Sequence, residues 1–274
     1  MSIKKNTCFI YKNDLKFNDK IDIGSSEFES DAVKSIYNNF KDKPKIEFRI
    51  EDSKMEIYKY LDLSKLDITD NHLTQLFKLD KILYILKKIE YLDLSNNKLT
   101  KIPNLKNFPN ILYLSVSFNE IDGNICVNNL LELTCHNNNI KYIESDNLTH
   151  LNASNNQIES INVPKIKILI ISNNKLNWIS SYIDLKYLEC VQNELTKIDN
   201  MIELEELYIG NNNIITIKNM PKLKVLNCVC NPLNKINYFP NLKTLMASIP
   251  VVSNQYIVLN ISKIKSDYLI NFKI

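Results

Sequence analysis

With three histidines in 274 residues, few places in this chain could host acid–base or metal chemistry. His136 and His150 come first, because imidazole titrates near neutral pH and is a common metal ligand. The repeat described below sets them on adjacent strands, four residues apart along the strand direction. At about 3.3 Å per residue and 4.8 Å between strands, their Cα atoms are roughly 14 Å apart. Metal ligands stand about 2 Å from the ion, so the two cannot share one. His150 falls beside Glu132 on the neighbouring strand, but an isolated His–carboxylate pair reads as a cross-strand polar contact. Cys228 and Cys230 are a Cys-Val-Cys pair without the further ligands of a zinc site. Gly24, Gly123 and Gly210 are scattered, whereas GxGxxG and Walker phosphate loops need clustered glycines. The expectation is a non-enzymatic chain that uses neither cofactor nor metal.

Apolar residues make up 45% of the chain and charged residues 24%, the balance of a folded globular protein. There are 40 Asn, 39 Ile, and 33 Lys against a single Arg, and the net charge of +3 is too weak to imply nucleic acid. No apolar run approaches the roughly 18 residues of a membrane span. The start, MSIKKNTCFIYKND, lacks the apolar core of a signal peptide. The six cysteines show no paired framework, and Cys135, Cys190 and Cys228 stand where Leu, Ile or Val stand elsewhere in the repeat. They read as reduced thiols serving as small core residues. An intracellular, cytoplasmic monomer is expected.

Asparagine marks the repeat: Asn71, Asn97, Asn119, Asn138, Asn156, Asn174, Asn193, Asn212 and Asn231, at intervals of 26, 22, 19, 18, 18, 19, 19 and 19 residues. Apolar residues keep fixed offsets around each. One turn reads Leu204, Leu207, Ile209, Asn212, Ile214, Ile217; another reads Ile89, Leu92, Leu94, Asn97, Leu99, Ile102. Anchored on Asn71, the first turn reads Leu63, Leu66, Ile68, Asn71, Leu73, Leu76. A tenth begins at Leu242, Leu245, Ala247 and decays at Pro250. The LxL segment alternates at period two, sending two apolar residues to one side. A single turn cannot bury that side alone, so neighbours must stack.

This LxxLxLxxNxLxxI pattern, over residues 63–252, resembles the leucine-rich repeat family. The resemblance implies an α/β, strand-dominated, right-handed solenoid with a parallel concave sheet. The 18–19-residue turns are similar to the short, helix-poor repeats of bacterial effector proteins, with a mostly non-helical convex side. Pro109, Pro164, Pro221 and Pro240 favour an extended, polyproline-like return. Leu76, Leu79, Leu83, Leu86 and Ile89 keep helical spacing and predict a helix over 76–88. An amide in an apolar column costs about 1–3 kcal/mol unless paired. The asparagines are therefore expected to bond backbone groups of adjacent turns.

Residues 1–62 carry no repeat and read as an N-terminal cap, with a small recruitment domain as the alternative. Cys8–Tyr11 and Leu15–Phe17 predict a hairpin; Val33, Ile36, Tyr37 and Phe40 predict one face of a helix over 30–40. Ile46, Phe48 and Ile50 alternate like a strand. Residues 253–274 read as a C-terminal cap, with Tyr256, Val258, Asn260 and then Tyr268, Ile270, Phe272 covering the last strand.

The residues flanking the apolar pair of each LxL should face outward on the concave side. Those columns begin at Lys65, Asp67 and Thr69 and hold one lysine against five carboxylates, although the chain is net positive. Such a face disfavours a phosphate backbone and suits a partner protein with a basic or mixed apolar and basic surface. Tyr91, Asp93, Tyr113, Ile168, Ile170, Tyr187, Glu189 and Tyr208 are the candidate protein-binding residues, since buried aromatics dominate interface energetics. Tyr187, Glu189 and Tyr208 should form one patch. Lys167, Lys186, Lys224 and Lys243 occupy one repeat position, interrupted by Glu205, and read as a solvated edge. The expected function is protein–protein interaction, with an adaptor whose N-terminal region recruits a second factor as the alternative.

Overall fold

Stacking of the LxL segments requires that each turn bury the same two side chains over its neighbours, and it does. The computed structural model describes residues 44–51, 54–78, 83, 86–233, 235–236, 239–248, 256–260 and 270–271. The hairpin expected at 8–17 and the helix expected at 30–40 lie outside them. The chain divides into two compact units, Met1–Ile121 and Asp122–Ile274, and each is built as a solenoid of parallel strands.

In the first unit, β1 (Pro44–Glu51) and β2 (Lys54–Asp62) form an antiparallel hairpin from Pro44↔Leu61 to Glu51↔Lys54. The alternation of Ile46, Phe48 and Ile50 becomes the expected strand. β2 then runs parallel to β3 (Tyr91–Asp93), and β3 parallel to β4 (Tyr113–Ser115).

This register corrects the first turn. Tyr60, Leu61 and Asp62 pair with Tyr91, Leu92 and Asp93, so the segment Tyr60-Leu61-Asp62-Leu63-Ser64 stacks on the identical Tyr91-Leu92-Asp93-Leu94-Ser95. The place of the ladder asparagine is taken by Leu66, whose N–H donates to Asn97 Oδ1 at 3.1 Å. Asn71 lies instead in a short helix, α1 (Asp70–Leu76). Thr69 caps α1: its hydroxyl accepts from His72 N–H, while His72 Nδ1 accepts from Thr69 N–H. Asp70 in the first turn complements the helix dipole, and Leu73 and Leu76 are buried. Described helix therefore begins at 70 rather than 76. Much of the expected 76–88 helix (79–82, 84 and 85) lies outside the described residues, although Lys87 N–H donates to the Leu83 carbonyl at 3.2 Å.

The second unit repeats the scheme at greater length. β6 (Glu132–Thr134), β8 (His150–Asn152), β10 (Ile168–Ile170), β11 (Tyr187–Glu189), β13 (Glu206–Tyr208), β15 (Val225–Asn227) and β17 (Thr244–Ser248) are consecutive parallel neighbours. Their central leucines, from Leu133 through Leu188 to Leu245, are buried. Beneath them Cys135, Ala153, Ile171, Cys190, Ile209, Cys228 and Ala247 form a second buried column. The three thiols thus sit where small hydrophobes belong, and burial pushes Cys228 up to about 12. Among the described residues the last strand of this sheet is β18 (Tyr256–Asn260), antiparallel to β17, where the alternation at Tyr256, Val258 and Asn260 predicts a strand.

The opposite side of this unit is not a featureless extended return. β5 (Asp122–Cys126), β7 (Asn139–Glu144) and β9 (Ser160–Asn162) form a parallel sheet, and β12 (Lys197–Asp199) pairs with β14 (Thr216–Lys218). β16 (Lys235–Ile236) pairs antiparallel with β19 (Ile270–Asn271). The strand holding Ile270 therefore pairs on this second side rather than with the last concave strand, where it was expected; Tyr268 and Phe272 lie outside the described residues. The prolines also do something sharper than expected. Ile166, Leu185, Leu204, Leu223 and Leu242 donate N–H to the carbonyls of Val163, Tyr182, Met201, Met220 and Phe239, closing stacked β-turns. Pro164, Pro221 and Pro240 take the second position of their turns, where a fixed φ is favourable.

Asparagine ties one turn to the next. The Asn174 Oδ1 accepts from Ile158 N–H at 2.9 Å, while its Nδ2 donates to Ala153 O at 3.0 Å in the preceding turn and Ile171 O at 3.1 Å in its own. Asn97, Asn119, Asn156, Asn193, Asn212 and Asn231 repeat this geometry. The residue before the ladder position holds positive φ: Asn96, Phe118, Asn137, Asn155, Asn173, Gln192, Asn211 and Cys230, between 53° and 58°. Asparagine tolerates that region best among non-glycine residues. Asn155 and Asn173 use it further, bonding amide to amide at 2.9 Å.

Two stability outcomes are expected. Asn174→Leu should lower stability by about 1–3 kcal/mol in urea denaturation despite the added hydrophobicity, because the Ile158 N–H loses its acceptor. A melting temperature at or above that of the unaltered chain would show that the amide is dispensable. Gln192→Asn should instead raise stability by roughly 0.5–1 kcal/mol, since the φ of 58° there suits Asn better than Gln; no gain would remove backbone strain as the reason for the Asn-Asn pairs.

Candidate functional site

Three-residue strands present their first and third side chains outward, so the candidate face is built from these positions. In the first unit, the corrected register removes Lys65, Asp67 and Thr69 from it. Asp67 instead pairs with Lys98 at 2.9 Å. Asp62 and Ser64, flanking Leu63, take the corresponding positions, and the described strand positions of this face then carry no lysine. Tyr91 and Tyr113 stack with ring centroids 6.1 Å apart and planes at 18°. Asp93 lies opposite Ser115, but its Oδ1 accepts from Ser95 N–H at 2.8 Å, so it also closes the strand end.

In the second unit, Tyr187 lies opposite Glu206 and Glu189 opposite Tyr208, a Tyr–Glu checkerboard across β11 and β13. The Tyr187 hydroxyl donates to Glu189 and the Tyr208 hydroxyl to Glu206, each at 3.1 Å. Ser172 Oγ donates to the other Glu189 oxygen at 3.1 Å and accepts from Val191 N–H at 3.1 Å. The two tyrosine rings lie 5.6 Å apart, tilted by 40°. Ile168 and Ile170 of β10 flank Tyr187 and Glu189 in register. The expected contiguous patch of Tyr187, Glu189 and Tyr208 is present as geometry. Glu206 and Ser172 belong to it as well. The repeat offsets alone put Tyr-Leu-Glu beside Glu-Leu-Tyr, so Glu206 was legible; the Ser172 contact needed side-chain coordinates.

The phenols are perturbed. Partial burial pushes Tyr187 above its ordinary value, and the Glu189 carboxylate opposes a second negative charge beside it. Tyr208 is raised for the same reasons, with Glu206 as its partner. Neither histidine joins the patch. His150 lies opposite Glu132 as expected, with Nδ1 2.9 Å from Thr149 Oγ1. Partial burial lowers His136, whose Nδ1 lies 2.7 Å from Asn137 Nδ2. Cys228 is buried and Cys230 exposed. Among the described residues no group of three or more His, Cys, Asp or Glu is placed to hold a metal ion. No helix among them is long and apolar enough to cross a membrane.

A raised tyrosine pKa stabilises the fold while the phenol stays neutral in both states, and the contribution is lost as pH climbs above the unfolded value near 10. Tyr187→Phe should therefore flatten the fall of stability with pH in the alkaline range, read from urea melts between about pH 9 and 11. An unchanged slope would show that Tyr187 ionises normally.

Residues 88–108 and 147–167 match the family model described as Leucine Rich Repeat. No protein of curated function matches the chain in sequence. Among solved structures it is similar to the leucine-rich repeat domain of LRIM1, at 22% identity and TM-score 0.54, over 72% of this chain and 66% of that one. It is also similar to the functional domain of InlJ from Listeria monocytogenes, at 21% and 0.53, over 81% and 60%. The LRIM1/APL1C complex gives 20% and 0.55, over 73% and 50%. The chain thus spans less than two thirds of the length of each of these structures. The likeness is one of fold. Repeat pattern, stacked parallel strands and asparagine ladder together give this chain the fold of the leucine-rich repeat structures it resembles.

Proposed function

We propose that the chain is a non-enzymatic interaction module that holds a partner protein against its strand-lined, concave face. Leucine-rich repeats generally serve protein–protein interaction, and the observation that carries the reading here is the Tyr187–Glu189–Glu206–Tyr208 checkerboard. Its hydroxyl–carboxylate bonds hold two aromatic rings side by side on a rigid sheet. Pre-ordered rings lose little entropy on binding, which is why aromatics supply hot spots. Two carboxylates beside them, with Ile168 and Ile170 adjoining, suit a partner surface that offers an apolar residue next to Lys or Arg. Tyr91, Tyr113 and Asp93 form a comparable anchor on the first unit.

Affinity capture from the native host identifies the partner, and the measured constant then tests the site. Tyr187→Ala with Tyr208→Ala should weaken binding at least about thirtyfold, or about 2 kcal/mol, with the fold kept because both side chains point away from the core. Glu189→Lys should mainly slow association and flatten its salt dependence. A folded double variant that binds at unaltered affinity would remove this patch as the site.

A further inference from the structure

The stacked β-turns of the second unit carry a feature that the turn itself does not require. At their second position, polar Asn128 and Asp146 give way to Pro164, Ile183, Ile202, Pro221 and Pro240 over five consecutive turns. Proline there is explained by its fixed φ. Isoleucine is not: it gains nothing in that position, yet Ile183 is 62% exposed and Ile202 49%. At about 4.8 Å per turn, the row of tips is about 19 Å long.

Three residues further along each turn, beyond one buried residue, stands a second row. Lys167, Lys186, Glu205, Lys224 and Lys243 are held in register by backbone bonds, each N–H donating to the preceding member at 2.7–2.9 Å. Glu205 is neutralised by Lys224 at 2.5 Å, which holds its carboxyl below the ordinary range, and Lys167, Lys186 and Lys243 remain as the net cations of the row. Between the rows, Lys222 neutralises Glu203 at 2.6 Å. Lys165 reaches Asn147 at 2.9 Å, and Asp146 and Asp184 are the remaining anions of these turns among the described residues. Cations therefore exceed anions beside the apolar tips.

We propose that this edge docks the protein on an anionic lipid bilayer, with Ile183 and Ile202 entering the headgroup–acyl boundary and Lys167, Lys186 and Lys243 meeting lipid phosphates. All five tips are exposed, so the row offers side chains to a partner surface. Apolar side chains entering the interface beside ammonium groups are the pairing that peripheral membrane association uses. A nucleic acid would engage the lysines and leave the isoleucines without a role.

The test is sedimentation of the full chain with vesicles of phosphatidylcholine containing about one third phosphatidylserine, against vesicles of pure phosphatidylcholine. The expected result is binding to the anionic vesicles, at least about tenfold weaker to the neutral ones. Ile183→Ser with Ile202→Ser should weaken it about tenfold or more. Each of Lys167→Gln, Lys186→Gln and Lys243→Gln should weaken it about fivefold. Ile215→Ser, at an exposed isoleucine outside the turn tips, and Tyr187→Ala with Tyr208→Ala should leave it unchanged, with circular dichroism confirming that every variant is folded. Absence of binding to the anionic vesicles would overturn the proposal. So would full binding by the double isoleucine variant, which would make the edge a polyanion contact. Equal loss with Ile215→Ser would overturn it too, as generic stickiness.

Discussion

Everything in this fold depends on one amide reaching both ways between turns. A three-residue strand has too few backbone bonds to hold its register against slippage. The ladder asparagine adds an acceptor for one N–H of the preceding turn and donors for carbonyls of two turns, at the point where the strand stops. Hydrogen bonds of this kind contribute about 1 kcal/mol each when made and cost more when left unmade in a dry interior. The asymmetry matters more than the sum. It forbids a neighbouring turn from sliding, since a slip strands the amide among leucines. Uniform register is what lets outward side chains form columns, and both the Tyr–Glu patch and the lysine row are columns.

Most of the ladder was legible because its spacing is a direct image of the physical repeat. Where it failed, the cause is specific. Asn71 has the residue type of the ladder but sits in a capped helix, while the better signal, the identical Tyr-Leu-Asp-Leu-Ser at 60–64 and 91–95, lacks the asparagine that anchored the alignment. Asn97 accepts from the Leu66 and Ile68 N–H groups of this turn, and its other described neighbour is the antiparallel β1 rather than a further turn for an asparagine at position 66 to bond. The second-side strands were hidden for another reason. Segments such as Lys197-Ile198-Asp199 have one buried residue each, and three residues are too few for periodicity to announce a strand.

The site followed the same division. Offsets within the repeat placed Tyr187, Glu189 and Tyr208 together, because strand register converts sequence position into spatial neighbours. What the offsets could not supply was the direction of the hydroxyl bonds, which turns two exposed tyrosines into fixed ones. The Asn-Asn dipeptides were in plain view as well. Their first member answers a backbone demand, positive φ, and the second a hydrogen-bonding one. A reading of side chains alone merges the two.

A parallel ladder has no natural end: each turn offers the next the same unpaired edge, and a second molecule could continue it indefinitely, as head-to-tail contacts do in filaments. β18 meets β17 in the reverse direction, as β1 meets β2 at the start of the first unit. A reversed strand takes up the edge that the next parallel turn would otherwise have used. In each unit, then, a strand of opposite polarity occupies the edge at which a further parallel turn would have paired.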